Sequence, residues 1–420
     1  LDCELLKSTG KKNILVISSW FPTSESPLSG IFVKEQVDVL AETYEDSYNF
    51  IVSVWGYNDS EVTFWRLGEA LKKIFRFLIA PKNRFKKDNR VYYAENPYLN
   101  ISSMIPYLGH FDRLVNIHRK NIDRAIKELG SIDLIHAHVS YPAGYLAYIL
   151  SKELKIPYLI TEHMGPFPFD RYKKNGHPIP EIDFAIKNAT KVVSVSNALS
   201  DQMKEFGFKE PDVIPNMVDE ETFKPEISVK KDASFRFFTL CALEKAKGVE
   251  DLLNAIALWK PKISKVHFLI GGDGEDRKEF IQLSEKLGIQ EYITWLGSLK
   301  RNEIPGYLNA CNAFVLPSHL ESFGIVFAEA IACGKPVVAT RCGGPESIVN
   351  ELNGKLVPVK DPKALADALK WMVENSDSFD SKTIRADFEK RFSHKAVTEQ
   401  IGSLYYSLLQ SKQSPLEQAG

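Results

Sequence analysis

Two doubly wound α/β domains are predicted, on three observations. The chain has 420 residues, too many for one hydrophobic core. From Asn13 onward, short β-branched runs alternate with helix-length amphipathic segments, as in parallel sheets covered by crossover helices. The alternation breaks once, at the polar, turn-rich "PNMVDEETFKPEISVKKDAS", and then restarts. The first domain is expected over residues 1–216 and the second over 217–391, and the helical segment 392–410 is expected to pack back on the first domain.

In chain order, the strands expected in the first half are "NILVIS", "FIVSVWG", "VYYAE", "DLIHAH", "PYLITEH", "KVVSVS" and "DVIPN", each rich in β-branched or aromatic residues. Between most of them lie segments with helical spacing: "IFVKEQVDVLAE", "FDRLVNIHRKNIDRAIKELG", "AGYLAYILSKEL" and "NALSDQMKEFG". The second half supplies "FRFFTLCAL", "KVHFLIGG", "YITWLG", "AFVLPS", "KPVVAT" and "GKLVPV" as strands. "SHKAVTEQIGSLYYSLLQ" has helical spacing with no strand after it, which is why it is expected to return to the first domain.

Composition narrows the function classes. Hydrophobic residues at 44 % with 25 % charged are ordinary for a globular protein, and no apolar run approaches the roughly 18 residues of a membrane span. A net charge of −1 argues against nucleic acid as the main partner. The five cysteines show no CxxC spacing, and "LDCELLKSTGKKN" lacks the apolar stretch of a signal peptide. A reducing, cytoplasmic setting with buried structural thiols is therefore expected, and no metal cluster.

The segment Ser318–Thr340, "SHLESFGIVFAEAIACGKPVVAT", carries the chemistry. It reads as strand, loop, helix and strand, with the loop at a strand's carboxyl end, where open α/β sheets bind ligands. The amides of Ser322, Phe323, Gly324 and Ile325 fall at the helix's amino end, a natural anion seat. Glu329 sits in an apolar helix eight positions after Glu321, and a buried carboxylate there needs a partner. Either the two carboxylates bracket one polar ligand, with Glu329 accepting from a diol such as a ribose, or Glu329 meets an arginine or lysine of a neighbouring element. Lys247 follows the strand "FFTLCAL" and precedes the helix "VEDLLNAIALW", a position suited to a ligand cation or to a solvated side chain. "HFLIGGDGEDRKEF" lacks the third glycine of a dinucleotide fingerprint, and its acidic residues would repel a pyrophosphate, which disfavours an NAD-dependent dehydrogenase. No zinc spacing and no Asp-x-Asp triplet is present.

With "SSWFPTSESPLSGIFVKEQ", "DLIHAH", "YLITEH", "VIPNMVDEETF", "EKAKGVEDLLNAI", "FLIGGDGE", "GYLNACNAFVLPS" and "GGPESIV" in this order, "ESFGIVFAEA" resembles the E-x7-E signature of retaining nucleotide-sugar glycosyltransferases of family four, which have the GT-B fold: two Rossmann-like domains facing each other across a cleft. The resemblance implies that Glu321 meets hydroxyls of the donor sugar and that Glu329 holds the ribose. It implies that Ser322 and the amides of Phe323, Gly324 and Ile325 contact sugar and diphosphate, and that Lys247 reaches the diphosphate and stabilises the charge growing on the leaving nucleotide. Gly30 would face that diphosphate from the other domain. His163 would orient sugar or acceptor hydroxyls, and His138, also at a strand end, would join it on the acceptor side. His163, Lys247 and Glu321 are the implied catalytic residues. Asn197 is read as a helix N-cap first.

The implied reaction moves a hexose-type sugar, with retention of configuration and without a metal, from a UDP-sugar or a GDP-sugar to a saccharide or lipid-linked acceptor in surface polysaccharide or glycolipid biosynthesis. No cofactor beyond the nucleotide-sugar co-substrate is implied. A sugar-nucleotide 2-epimerase of the same fold and a nucleotide-sugar-binding protein without turnover stay open as alternatives. One departure motivates the latter: where the family often carries Gly-Arg-Leu, this chain has Cys241, Ala242 and Leu243, and Lys245 is the nearest replacement cation. Finally, Phe64–Arg90 carries nine basic residues against Glu69 and Asp88, with aromatic and aliphatic residues among them. A basic amphipathic helix followed by a basic loop can settle on an anionic membrane surface, which would make the chain peripheral at the inner face of the cell membrane. It can equally pack on its own domain.

Overall fold

A computed structural model of the chain describes residues 10–23, 29–55, 67–99, 110–226, 234–260 and 265–410. The amino-terminal stretch with Cys3, part of the loop before Gly30, residues 64–66 of the basic segment, part of the inter-domain segment and residues 411–420 lie outside them. Two parallel sheets carry the fold, as the two-domain expectation requires. Strands β1 (Lys12–Ser18), β2 (Tyr48–Val54), β3 (Arg84–Asp88), β4 (Val91–Glu95), β5 (Leu134–His138) and β6 (Tyr158–Glu162) belong to the first domain. So do a small hairpin, β7 (Lys173–Lys174) with β8 (His177–Pro178), and strands β9 (Lys191–Ser194) and β10 (Asp212–Val213). The main sheet runs β10-β9-β6-β5-β1-β2-β4-β3, and only β3 pairs antiparallel.

The second domain holds β11 (Phe235–Leu240), β12 (Val266–Gly271), β13 (Ile293–Gly297), β14 (Ala313–Leu316), β15 (Val337–Thr340) and β16 (Gly354–Val357), ordered β13-β12-β11-β14-β15-β16. Helices cover both faces of each sheet, so Ile14, Leu15, Val16 and Ile17 of β1 are all fully buried despite alternating direction. Strand order reverses beside β1 and β5 in one sheet and beside β11 and β14 in the other. The loops after these strands therefore open at topological switch points, where ligands bind in such sheets.

Three elements differ from the sequence reading. Residues 84–88, expected as loop, form β3 at the sheet edge, a place where charged side chains suit an exposed strand. Pro180–Asn188 is a helix, started by Pro180 with Glu181 and Asp183 in its first turn. Its nine residues are too few to show a clear period. "DVIPN" contributes only the two residues of β10.

The chain passes between the domains twice. The outgoing segment and the returning one meet where Val218 N–H donates to the Phe392 carbonyl at 3.0 Å, and His394 N–H donates to Glu220 at 2.9 Å. Helix His394–Gln410 then lies on the first domain, burying Val397, Ile401, Tyr405 and Leu408 in the cluster that contains Tyr48 and Phe50. The Tyr405 hydroxyl is hydrogen-bonded to His136 Nδ1 at 2.6 Å, which satisfies both polar groups inside that core.

Candidate active site

A cleft of about 420 Å³ lies between the domains. Trp20, Phe32, His163 and Phe169 wall it from the first domain, and Cys241, Lys247 and Glu321–Val326 from the second. The loops after β1, β6, β11 and β14 and the first turns of the helices that follow β1 and β14 supply these residues, so the wall is built from the strand ends that the topology brings together.

Lys247 Nζ donates to Glu321 Oε1 at 2.8 Å, and Ser318 Oγ donates to the same oxygen at 2.9 Å. Both bonds fall on one carboxylate oxygen, which leaves Oε2 for a ligand hydroxyl. Burial alone would lower the Lys247 pKa, but the adjoining Glu321 carboxylate outweighs it and holds the ammonium above its ordinary value. Lys247 is thus a permanent cation at the wall. The expected replacement for the missing arginine does not join it: Lys245 is exposed and paired with Glu279 at 3.3 Å, outside the cleft. Cys241 lies where the family pattern has its glycine, and burial pushes its thiol up to about 12, so it stays protonated.

Helix Ile325–Ala332 begins at Gly324, whose φ of 84° is left-handed. A Cβ there would stand 2.5 Å from the Phe327 ring, so glycine is demanded on two counts. Among the described residues the amides of Ser322, Phe323 and Gly324 donate to no backbone carbonyl, as an anion seat requires.

Glu329 is only 1 % exposed and is not part of the cleft wall. Its partner is Arg301, which bonds Glu329 Oε1, reaches Glu35 of the first domain at 3.5 Å and lies 4.7 Å over the Phe223 ring. Burial raises the Glu329 pKa, and Arg301 pulls it back only in part. Of the two readings left open for Glu329, the structure shows the second, an arginine from a neighbouring element. Sequence reading missed Arg301 and Glu35. Nothing in "LGSLKRNE", the segment that carries Arg301, names the carboxylate across the fold.

Two expected residues are not among those that wall the cleft. Gly30 does not line the cleft: its φ is 64° and a Cβ would stand 2.0 Å from the Trp20 carbonyl oxygen, so a close backbone approach to Trp20 is what demands glycine here. His138, expected on the acceptor side, is fully buried and not part of the wall. It sits behind His163, with His138 Nδ1 hydrogen-bonded to His163 Nε2 at 3.0 Å. Burial lowers the pKa of both imidazoles, His138 to about 3, so both are neutral. Asn197 is the first residue of its helix, and the cap is Ser196, whose Oγ accepts from Leu199 N–H at 3.2 Å and donates to the Ser322 carbonyl at 2.6 Å across the domain interface.

Glu162, also missed, organises the loop that carries His163. Its buried carboxylate accepts from the backbone N–H groups of Ser140, His163 and Met164, at 2.9, 2.9 and 2.8 Å. Three such bonds explain why a carboxylate is tolerated at the end of an apolar strand. Its position beside His163 in "YLITEH" was the available signal.

The described residues contain no group of three or more His, Cys, Asp or Glu side chains placed to hold a metal. They contain no helix long and apolar enough to cross a membrane.

Residues 60–222 match the family Glycosyltransferase Family 4, and residues 220–391 match Glycosyl transferases group 1. A glycosyltransferase of Methanocaldococcus jannaschii, MJ1178, is 30 % identical over 324 residues, which is 75 % of this chain and 88 % of that protein. A Bacillus subtilis glycosyltransferase assigned to teichuronic acid biosynthesis, TuaC, is 26 % identical over 92 % of this chain and 97 % of its own length. Among solved structures, Anabaena Alr3699/HepE in complex with UDP superposes with a TM-score of 0.68 at 21 % identity, covering 94 % of this chain and all of that one.

Proposed function

We propose, from the premise that this chain belongs to glycosyltransferase family four and has the GT-B fold, that it moves a hexose-type sugar from a UDP-sugar to a saccharide or lipid-linked acceptor in surface polysaccharide or glycolipid synthesis. The observation that carries this reading is the cleft itself, where Lys247, Glu321 and the free amides of Ser322, Phe323 and Gly324 meet His163 of the opposite domain. The UDP preference rests on a neighbour of the same fold that was solved with UDP, and the acceptor class on the teichuronic acid assignment of TuaC.

In this reading Glu321 Oε2 accepts from hydroxyls of the sugar, and the amides before Ile325 hold the diphosphate. Lys247 turns toward that diphosphate as the glycosidic bond breaks and charge accumulates on the leaving oxygen, the moment at which a preorganised cation lowers a barrier most. No side chain is assigned as a nucleophile. The acceptor oxygen attacks from the face the nucleotide leaves, its proton passes to the departing diphosphate, and configuration is retained. For Glu329 to hold the ribose, Arg301 has to yield its oxygen or share the carboxylate, and Glu35 is available to receive it.

Differential scanning fluorimetry with UDP-, GDP- and ADP-sugars tests the donor. A ligand at a hundred times its Kd stabilises by ~2.7 kcal/mol. A UDP-sugar is expected to raise Tm by several degrees and the ADP-sugar to leave it unmoved; a shift confined to GDP-sugars would overturn the UDP assignment. Incubation with donor alone separates the rivals: an epimerase releases free nucleoside diphosphate without an acceptor, and a binding protein forms no product with any acceptor pool.

The acceptor side is proposed to meet an anionic membrane surface. Helix Leu67–Ile79 exposes Leu71, Phe75, Leu78 and Ile79, each more than 60 % accessible, on one stripe. Lys72, Lys82, Arg84 and Lys87 are exposed nearby, and the last two belong to β3. An apolar stripe beside cations complements a layer of acyl chains under acidic headgroups. Co-sedimentation with vesicles containing phosphatidylglycerol should recover the chain, and pure phosphatidylcholine should not. The double variant Leu71→Ser, Phe75→Ser should stay in the supernatant while keeping its nucleotide-induced Tm shift. Equal recovery of parent and variant would end this assignment.

A further inference from the structure

We propose that His138 is a positioning residue that sets the tautomer of His163, so that His163 presents an N–H donor, from Nδ1, to an oxygen of the sugar or acceptor. The inference deepens the transferase reading and rests on it for the identity of that oxygen.

The two rings share one hydrogen bond, His138 Nδ1 to His163 Nε2. The outer nitrogens, His138 Nε2 and His163 Nδ1, have no hydrogen-bond partner among the described residues, and both are buried. A neutral imidazole carries one N–H and one lone pair, so only two arrangements join the rings. Either His163 Nε2–H donates to His138, which leaves an N–H on His138 Nε2, or His138 Nδ1–H donates to His163, which leaves it on His163 Nδ1. One orphan donor is unavoidable, and what differs is where it sits. His138 is fully buried and away from the cleft wall, whereas His163 forms part of that wall.

A donor sealed in the interior costs more than an unused lone pair, and a donor beside a ligand cleft can find a partner. The second arrangement is therefore preferred. His136 does not disturb it: stacked 4.2 Å from His138, it is satisfied on both nitrogens by Tyr405 and Thr161. Phe32, with its ring centre 4.8 Å from that of His163, packs beside the ring. The consequence for specificity is concrete: a ligand oxygen that reaches His163 Nδ1 accepts from it, and a deoxy sugar at that carbon loses the bond.

The test is the ¹⁵N spectrum of the full chain with labelled histidine, with the His163 signals assigned by their loss in His163→Gln. The expected result is a protonated Nδ1 and a lone-pair Nε2 on His163 with no ligand present; a proton on Nε2 overturns the proposal. In His138→Phe, which keeps the bulk and removes the donor, the proton should shift toward Nε2 and kcat/KM should fall about tenfold, the scale of one hydrogen bond. His138→Asn, whose side-chain amide can donate from a similar place, should keep the Nδ1 proton and recover most of the rate. A rate lost equally in both variants with the tautomer unchanged would make His138 merely structural. If no donor is turned over by the parent chain, the transferase reading fails while the spectrum still decides the tautomer.

Discussion

Lys247→Ala is expected to lower kcat for sugar transfer by roughly 10²–10³-fold, the usual effect of removing one preorganised group that meets transition-state charge. The reason is scarcity. Lys247 is the one lysine or arginine among the described residues that wall the cleft, because Ala242 stands where an arginine is frequent and Lys245 is turned outward to Glu279. Stability should move far less. The Lys247–Glu321 pair is partly exposed, and Glu321 keeps its bond from Ser318, so a cost of about 1 kcal/mol is expected. Steady-state kinetics beside thermal melts read the two effects separately. Losses of the same free energy in both would make Lys247 a structural residue.

Glu329→Gln is expected to abolish the nucleotide-induced rise in Tm without lowering the melting temperature of the free protein at neutral pH. The sign follows from its raised pKa. Such a carboxyl contributes stability that is fully present below the ordinary glutamic value of 4.5 and is lost as pH rises through its folded value. At neutral pH the ionised group is thus a net cost, only partly offset by Arg301. Glutamine removes that cost while Arg301 keeps Glu35, so the variant should be between equal and ~2 kcal/mol more stable, with the difference growing as pH rises above 4.5. Arg301→Ala should do the reverse and cost about 3–5 kcal/mol, because the buried carboxylate loses its partner. Melts of both variants across pH, with and without a UDP-sugar, check this. An undiminished nucleotide response in Glu329→Gln would remove Glu329 from the ribose.

The fold was legible because parallel sheets covered on both faces leave long apolar runs, as in "NILVIS" and "AFVLPS", and the break before "FRFFTLCAL" separates the two halves. Elements that stand on few residues were not legible. Helix Pro180–Asn188 spans too little to show a period, and β3, "RFKKD", carries charge because it is an edge, which in sequence looks like loop. In the cleft, Lys247 and the loop from Glu321 to Ile325 could be read because neighbours in sequence are neighbours in the site. The partnerships that give those residues their electrostatics could not. Arg301 reaches Glu329 from another loop, Glu35 reaches Arg301 from the other domain, and His138 meets His163 from an adjacent strand.

The double passage of the backbone between the domains has a mechanical consequence. Two segments joined side by side, Val218 to Phe392, tie the domains together at two points of the chain rather than one, which limits how they can turn against each other. That restraint should keep His163 opposite Glu321. Cutting the chain before Phe392 would leave a single pivot and strip the aromatic face of Tyr48 and Phe50 bare, so the shortened protein should lose alignment and solubility together.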